Sequence, residues 1–361
     1  MRLVNFGEVL EIKNGRNQKR VENPSGRYPI YGSGGIMGYA DEYLCDAETI
    51  VLGRKGSINN PIFVEQPFWN VDTAFGLCAN KDYLYPKYLY YFCQQFDFER
   101  LNTTVTIPSL TKTNLLEVKL PLPPLAEQRR IAAILDKVDA IRRKRQLALA
   151  LTDDFLKSVF LDMFGDPVTN PKGWDTVDLN ALGEIITGST PSRLNSDNYG
   201  NDIEWIKSDN INTPYHFLTL AKEGLSETSM ESARVAPSGA VLVTCIAGSK
   251  DCIGNAAIAN RKVSFNQQIN AIVPKHTWLT NFLYGQIFAQ KKIIQQASTE
   301  SMKGMVSKGR MEKIKFIQPP KNEIEKFSAL CDVVFKNCEK MWLAHSYAEN
   351  TFKSLQQSFF E

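Results

Sequence analysis

The sequence predicts an α+β chain: two β-rich units separated by a pair of long antiparallel coiled-coil helices, an internal duplication with pseudo-two-fold symmetry. Three observations predict it. Residues 121–165, PLPPLAEQRRIAAILDKVDAIRRKRQLALALTDDFLKSVFLDMFG, return at 317–361 as IQPPKNEIEKFSALCDVVFKNCEKMWLAHSYAENTFKSLQQSFFE. In both copies apolar residues recur every three or four positions, the period of a long helix that buries one stripe. Ahead of each copy lie short β-like runs broken by Gly, Pro and Asn.

The repeat aligns position by position. Pro123 and Pro124 fall on Pro319 and Pro320, Asp136 on Asp332, and Lys157–Ser158 on Lys353–Ser354. Two prolines suit the first turn of a helix, where the leading N–H groups lack partners. Glu127 and Glu323 follow, favoured by the positive end of the helix dipole. The first copy places Ile131, Ile134, Val138, Ile141, Ala148, Phe155 and Val159 at a/d positions, with Arg145 and Thr152 as polar interruptions. Leu135, Leu149, Leu156 and Met163 form a flanking column. The second copy places Phe327, Leu330, Val334, Met341, Ala344, Ala348 and Leu355 at matching offsets. About 38 residues make a rod of roughly 57 Å. Two greasy rods in one chain are expected to bury their stripes against each other.

From the start of the chain, YPIYGSGGIMGY, TIVLGRKG, NPIFVEQPFW and VDTAFGLCA read as strands and Pro86–Phe98 as a helix. A polar loop, Asn102–Thr113, and a short apolar strand, LLEVKLPLP, follow. The first long helix is expected to stop near Gly165-Asp166-Pro167, a C-cap glycine with proline beyond it. From Trp174 the pattern restarts. Leu182-Gly183-Glu184 echoes Phe6-Gly7-Glu8, and Ile203–Ser208 stands where Tyr28–Ser33 stood. Gly248-Ser249-Lys250 matches Gly53-Arg54-Lys55, which places an insertion of about 20 residues between Ser208 and Gly248. The predicted domains are 1–121, the helix 122–166, a second unit 167–318, and the helix 319–361.

Composition narrows the class. At 361 residues, 43% hydrophobic and 22% charged, the chain is ordinary globular protein of two or three domains. Neither a run of eighteen apolar residues nor a signal-peptide core is found, so a cytoplasmic protein away from membranes is expected. Seven cysteines at irregular spacing suggest free thiols. Cys331 and Cys338 are expected to face the helix seam as small apolar residues. A net charge of +3 gives no bulk pull on nucleic acid, so folding must gather any DNA-binding surface.

Catalytic patterns are weak. Glu117-Val118-Lys119 has the E-x-K spacing of a nuclease strand, but its duplicate is Lys313-Ile314-Lys315. Gly53–Ser57 lacks the spacing of a phosphate-binding loop. His216, His276 and His345 stand apart, without ligand clusters, and no metal site is expected. Polar loops carrying Lys, Arg, Asn and Ser beside Gly suit DNA contact. In the first unit these are Lys13, Arg16, Lys19, Arg20, Ser33, Arg54, Lys55, Asn59 and Lys112. In the second they are Arg193, Lys207, Ser208, Ser249, Lys250, Asn266, Gln267, Lys303, Lys308 and Arg310. Arg142-Arg143-Lys144-Arg145 reads as a solvated helix face, with DNA-backbone contact as the alternative.

The tokens IPSLTKTNLLEVKLPLPPLAEQRRIAAIL, LKSVFLDMFG and GSGGIMGYADEY…IVLGRKG resemble the specificity subunit of type I restriction–modification systems. The resemblance implies two target-recognition domains held by an antiparallel helical pair, each reading half of a split double-stranded DNA target. It implies a chain without its own catalytic site, docking two methyltransferase subunits and, in the full complex, restriction/translocase subunits. S-adenosylmethionine, ATP and Mg are then expected on the partners rather than here. The second copy departs from the pattern where Lys321, Asn322 and Ile324 replace Leu125, Ala126 and Gln128. Two other readings are a DNA-modifying enzyme with an unrecognised active site and a coiled-coil adaptor without a DNA role.

Overall fold

A computed structural model describes residues 2–102, 109–212, 215–230, 233–299 and 304–361. The chain divides into two compact units: unit 1 is Met1–Lys144 with Ser346–Glu361, and unit 2 is Arg145–His345. Unit 1 runs β1 (Leu3–Asn5), α1 (Phe6–Val9), β2 (Leu10–Asn14), β3 (Tyr28–Gly32), β4 (Gly35–Ala40), β5 (Thr49–Gly53), β6 (Ile62–Val64), β7 (Trp69–Asn70) and β8 (Ala74–Ala79). It continues with α2 (Pro86–Gln95), α3 (Lys112–Leu116), β9 (Lys119–Pro121) and the start of α4 (Leu125–Phe164). Unit 2 runs β10 (Thr176–Asp178), α5 (Leu179–Leu182), β11 (Gly183–Thr187), β12 (Tyr199–Ile206), β13 (Gly224–Leu225), α6 (Glu227–Met230), β14 (Val235–Ala236), β15 (Val241–Thr244), β16 (Ala256–Ile258), β17 (Val263–Phe265) and β18 (Ile269–Pro274). It closes with α7 (Thr280–Ala289), α8 (Lys292–Gln295), α9 (Lys308–Glu312), β19 (Lys315–Ile317) and much of α10 (Lys321–Phe360).

The units repeat one topology. A four-stranded sheet has the order β2-β8-β5-β6 in unit 1 and β11-β18-β15-β16 in unit 2. A smaller sheet, β4-β3-β7 or β13-β12-β17-β14, carries a parallel pair, β3 with β7 and β12 with β17. A short antiparallel pair, β1 with β9 or β10 with β19, joins the start of each unit to the strand before its long helix.

Strand register corrects two of the sequence alignments. The pairs β2–β8 and β11–β18 match Leu10 with Gly183, so α1 corresponds to α5 and the Phe6-Gly7-Glu8 echo is misplaced. Arg54 receives a hydrogen bond from Leu110 and Lys55 bridges Ser109. The same contacts in unit 2 are Val306 to Cys245 and Ile246 with Met305. Arg54 and Lys55 are therefore matched by Cys245 and Ile246, not by Ser249 and Lys250. Most of the insertion falls between β12 and β15, and the remainder between β15 and β16. Nor does LLEVKLPLP form one strand: Leu115 and Leu116 belong to α3, capped by Thr111, before β9 begins.

The first proline pair stands just outside α4. The Pro124 carbonyl accepts from Glu127 and Gln128 N–H, and Pro320 accepts likewise from Glu323 and Ile324. At the far end Gly165 adopts φ +78°, and a Cβ there would lie 2.8 Å from Pro171. The α4 carbonyls near that end are capped from outside, Phe164 by Trp174 Nε1 at 2.9 Å and Met163 by Lys172 at 3.0 Å.

The buried stripe of α4 keeps Ile131 of the predicted a/d column, with Val138 and Val159 partly buried, and departs from it at Ile141 and Phe155. Ile131, Ala132, Leu135, Leu149, Leu156, Phe160 and Phe164 are buried, whereas Ile141 is exposed and Phe155 is 51% exposed. The seam follows the predicted flanking column, because two adjacent apolar columns compete and only packing chooses. In α10 the buried residues include Phe327, Cys331, Val334, Phe335, Cys338, Ala348, Phe352, Gln356 and Phe360. Both cysteines face the seam as expected. In unit 2 the helices run antiparallel: Arg145 donates to the Ala344 carbonyl, while Phe160 packs edge-on against Phe327.

The Arg142–Arg145 run is not simply a solvated face. Asp139 is buried and accepts from both Arg142 and Arg143, while Arg142 also reaches Glu349 at 2.9 Å and lies over Phe352. Helix-to-unit contacts also repeat. Asp136 accepts from Tyr91 at 2.6 Å and Lys87 at 3.0 Å, and its duplicate Asp332 accepts from Asn281 at 2.9 Å. The insertion of unit 2 carries His216, which is buried. Its Nδ1 is 2.8 Å from the Tyr284 hydroxyl and its Nε2 is 3.4 Å from Asp153.

Phe160→Ala should cost about 3–5 kcal/mol, whereas the exposed Phe155→Ala should stay below about 1 kcal/mol, both read by urea unfolding. Equal costs would return the seam to the predicted column.

A second prediction concerns pH. Burial pushes the Asp153 carboxyl up to about 6. Burial, with Lys157 nearby, pushes the His216 imidazole down to about 4. A raised acid stabilises the fold below its unfolded value of about 3.9. That contribution is lost as pH rises through 6. A depressed imidazole stabilises above about 6.5. That contribution is lost as pH falls through 4. Between these limits the two oppose each other. Asp153→Asn removes the first, so the variant's stability should fall more steeply than wild type from pH 6.5 towards 4. Parallel pH profiles of denaturant midpoint would contradict this.

Candidate nucleic-acid interface

In unit 1 four segments meet at the β7–β8 turn. Arg16 N–H donates to the Asn70 carbonyl at 2.9 Å, Val71 to Tyr31 at 3.0 Å, and Arg54 to Thr73 at 2.8 Å. Gly15 permits the approach, since a Cβ there would sit 1.8 Å from the Val71 carbonyl oxygen. Asn70, fully buried, braces the turn: its amide donates to the Ala74 carbonyl at 3.1 Å and its Oδ1 accepts from Cys45. The two-residue turn at Ser33 lies beside Gly53. Folding thus brings Arg16, Ser33, Arg54 and Lys55 to one loop cluster, and the three basic side chains are exposed. Arg54 rests over the Phe75 ring at 5.8 Å.

The other predicted residues of unit 1 have varied surroundings. Lys19 and Arg20 are exposed on the β2–β3 loop, and Lys112 is exposed at the start of α3. Lys13 is held inward by the Leu44 carbonyl at 3.2 Å and Asp46 at 3.4 Å. Asn59 is a strut: its Nδ2 donates to Asp97 at 3.0 Å while its Oδ1 accepts from Phe98 N–H at 2.7 Å. Beside Ser33 the β3–β4 ribbon exposes Ile36, Met37 and Tyr39, a feature sequence reasoning missed. A two-stranded ribbon fits the DNA major groove.

Unit 2 builds its cluster from different residues. Gly188 takes the place of Gly15, with a virtual Cβ 2.1 Å from the Asn266 carbonyl oxygen. Arg193 and Lys207, predicted separately, meet on one carboxylate: Glu223 accepts from Arg193 at 2.6 Å and from Lys207 at 2.5 Å. These bonds, Lys207 first and Arg193 next, hold its carboxyl below the usual range. Both cations lie over Trp205, and Arg193 also lies 4.6 Å from the Tyr199 ring centre. Sequence reasoning missed Glu223, Trp205 and Tyr199, because their positions carry no local signal.

Ser208 opens a short 3-10 turn after Lys207, and Gln267 is exposed on the β17–β18 turn. Asn266 is buried and serves that turn, its Oδ1 accepting from Gln268 N–H at 3.1 Å. Ser249 caps the turn that carries the exposed Lys250. Lys308 and Arg310 are exposed on α9, where Arg310 reaches the Ala297 carbonyl at 3.2 Å. Lys303 lies outside the described residues, as do 103–108 of one predicted loop.

Fold and site define a class: a duplicated α+β protein whose copies share a frame and each present a cation-bearing loop cluster. The chain belongs to the type I restriction modification DNA specificity domain family, whose model matches residues 1–151 and again 171–336. It is 30% identical over 177 residues to the type I restriction enzyme HindI specificity subunit of Haemophilus influenzae, covering 46% of this chain and 36% of that one. The EcoBI specificity subunit of Escherichia coli matches at 27% over 296 residues, covering 71% and 60%. The chain thus spans about a third of the Haemophilus relative's length. The crystal structure of a type I restriction–modification S subunit from M. genitalium shares the fold, with TM-score 0.66 and 14% identity over 100% of this chain and 96% of that one. No helix among the described residues is long and apolar enough to cross a membrane.

Asn59→Ala and Asn266→Ala should each destabilise the fold by about 1–3 kcal/mol, since each strands a backbone N–H. Arg54→Ala and Lys55→Ala should shift stability by less than about 0.5 kcal/mol while weakening DNA binding. Thermal melts beside gel shifts check both, and an Arg54→Ala, Lys55→Ala variant with full DNA affinity would exclude that pair from the interface.

Proposed function

We propose that this chain is the non-catalytic DNA-recognition subunit of a type I restriction–modification complex. Each unit reads one half of a bipartite target. The observation that carries this is a repeated frame with unlike loops: Arg54 and Lys55 in unit 1 stand where unit 2 has Cys245 and Ile246. Unit 2 gathers Arg193 and Lys207 instead. Two readers on a common frame suit a target with two different halves. Family membership and the named relatives support the same reading.

Exchanging residues 1–121 for those of a relative should change one half of the selected sequence and leave the other intact. A change in both halves would count against independent readers. The purified chain should transfer no methyl group from S-adenosylmethionine to DNA; transfer would favour the enzyme reading.

The long helices supply the scaffold for methyltransferase subunits, two in the assembled complex, with restriction/translocase subunits added to them. S-adenosylmethionine, ATP and Mg belong to those partners. On α4, Leu147, Leu151 and Phe155 are exposed at a spacing of four, one face of the helix. An exposed apolar face of this kind fits a protein partner. Leu151→Asp with Phe155→Asp should abolish co-purification with the methyltransferase subunit while leaving the melting temperature within about 2–4 °C. Undiminished co-purification would move the docking face elsewhere.

A further inference from the structure

We propose that Arg193 reads a guanine and Leu194 the methyl group of a neighbouring thymine, making this loop a specificity determinant of unit 2. The inference rests on the DNA-recognition reading above. The loop between β11 and β12 is tied to itself at several points. Tyr199 hydroxyl donates to the Pro191 carbonyl at 2.8 Å, Asn198 Nδ2 to Ser192 at 3.0 Å, and Asp197 N–H to Asn195 Oδ1 at 3.1 Å. Leu194 N–H donates to Ser192 Oγ at 3.3 Å, and Trp205 Nε1 anchors the Ser189 carbonyl at 3.2 Å. At the tip of this braced loop stand Arg193, exposed, and Leu194, 100% exposed.

The Arg193 guanidinium is held from two sides. Tyr199 and Trp205 give it a π surface, and Glu223 takes its Nη2. The Glu223 support is itself rigid. Arg261 forks onto Glu204 at 2.5 and 2.7 Å, and Glu204 accepts from Ala221 N–H at 2.8 Å. Asn210 Nδ2 donates to the Leu220 carbonyl at 2.9 Å.

Phosphate contact is tolerant of side-chain position and insensitive to sequence. It gains little from such bracing, and Glu223 weakens it by offsetting charge. Base reading gains more: a guanidinium fixed in orientation presents a fork that matches guanine O6 and N7. The same bracing leaves Leu194 without contacts that would explain an apolar side chain in full solvent. The thymine methyl is the apolar mark of the major groove.

The test uses the full-length chain assembled with its methyltransferase partner and a pool of randomised duplexes. Wild type should select a guanine in the half-site that follows unit 2 in the exchange experiment. Arg193→Ala and Arg193→Lys should both lose that preference, by roughly 5- to 150-fold, the equivalent of about 1–3 kcal/mol. The lysine variant keeps the charge, so it separates base reading from phosphate contact. Glu223→Gln should weaken guanine preference while sparing affinity for unrelated duplexes. Uracil in place of the neighbouring thymine should weaken wild type but not Leu194→Ala. Arg193→Lys with wild-type guanine preference, or Arg193→Ala weakening all duplexes equally with a shallower salt slope, would overturn the inference alone. A wild-type complex that selects no sequence would overturn the recognition reading and this inference with it.

Discussion

Neither unit closes its core without both long helices. Unit 1 takes Ile131, Ala132 and Leu135 from α4 and Phe352 and Phe360 from α10, packed with Tyr88, Tyr91 and Phe92 of α2. Unit 2 takes Leu156, Phe160 and Phe164 from α4 and Phe327, Cys331 and Phe335 from α10, around Phe282 of α7. The aromatic rings meet at 5–6 Å, several of them edge-on, where each contact adds to area burial. Helix and globule are therefore coupled in folding, and the loops inherit their positions from that shared packing.

Two buried polar side chains of this frame, Gln128 and Asp139, are satisfied by specific partners. Gln128 is buried, yet its amide donates to the Tyr83 and Pro123 carbonyls and its Oε1 accepts from Tyr85 N–H. It therefore ties the helix start to the loop before α2. In the second copy Ile324 occupies the matching position and is buried among apolar neighbours. The departure from the repeated motif is thus a change of local anchoring, from hydrogen bonds to apolar packing. Asp139 is a comparable case: a buried carboxylate held by two arginines, costly if left alone and stable when paired.

Function rests on what the frame leaves variable. Close backbone approach at Gly15 and Gly188 brings equivalent loops together in the two units, while the side chains those loops carry differ. In unit 1 the cations are exposed around a turn braced by Asn70; in unit 2 they are organised by Glu223 and aromatic rings. One topology accordingly supports two chemically different surfaces.

The sequence by itself determined the duplication, the two long helices, the limits of the first at Pro124 and Gly165, and the seam positions of Cys331 and Cys338. These are local signals: proline and glycine act on their own backbone, and a repeat is visible without contacts. The tertiary structure decided which of two adjacent apolar columns became the seam, burying Leu156 rather than Phe155. It also decided that Arg54 matches Cys245, because strand register depends on hydrogen bonds between segments distant in the chain. Arg193 and Lys207 were legible as cations, but their convergence on Glu223 was not. That carboxylate lies far along the chain from Arg193, and only folding the insertion back on β12 gives the three residues a common site.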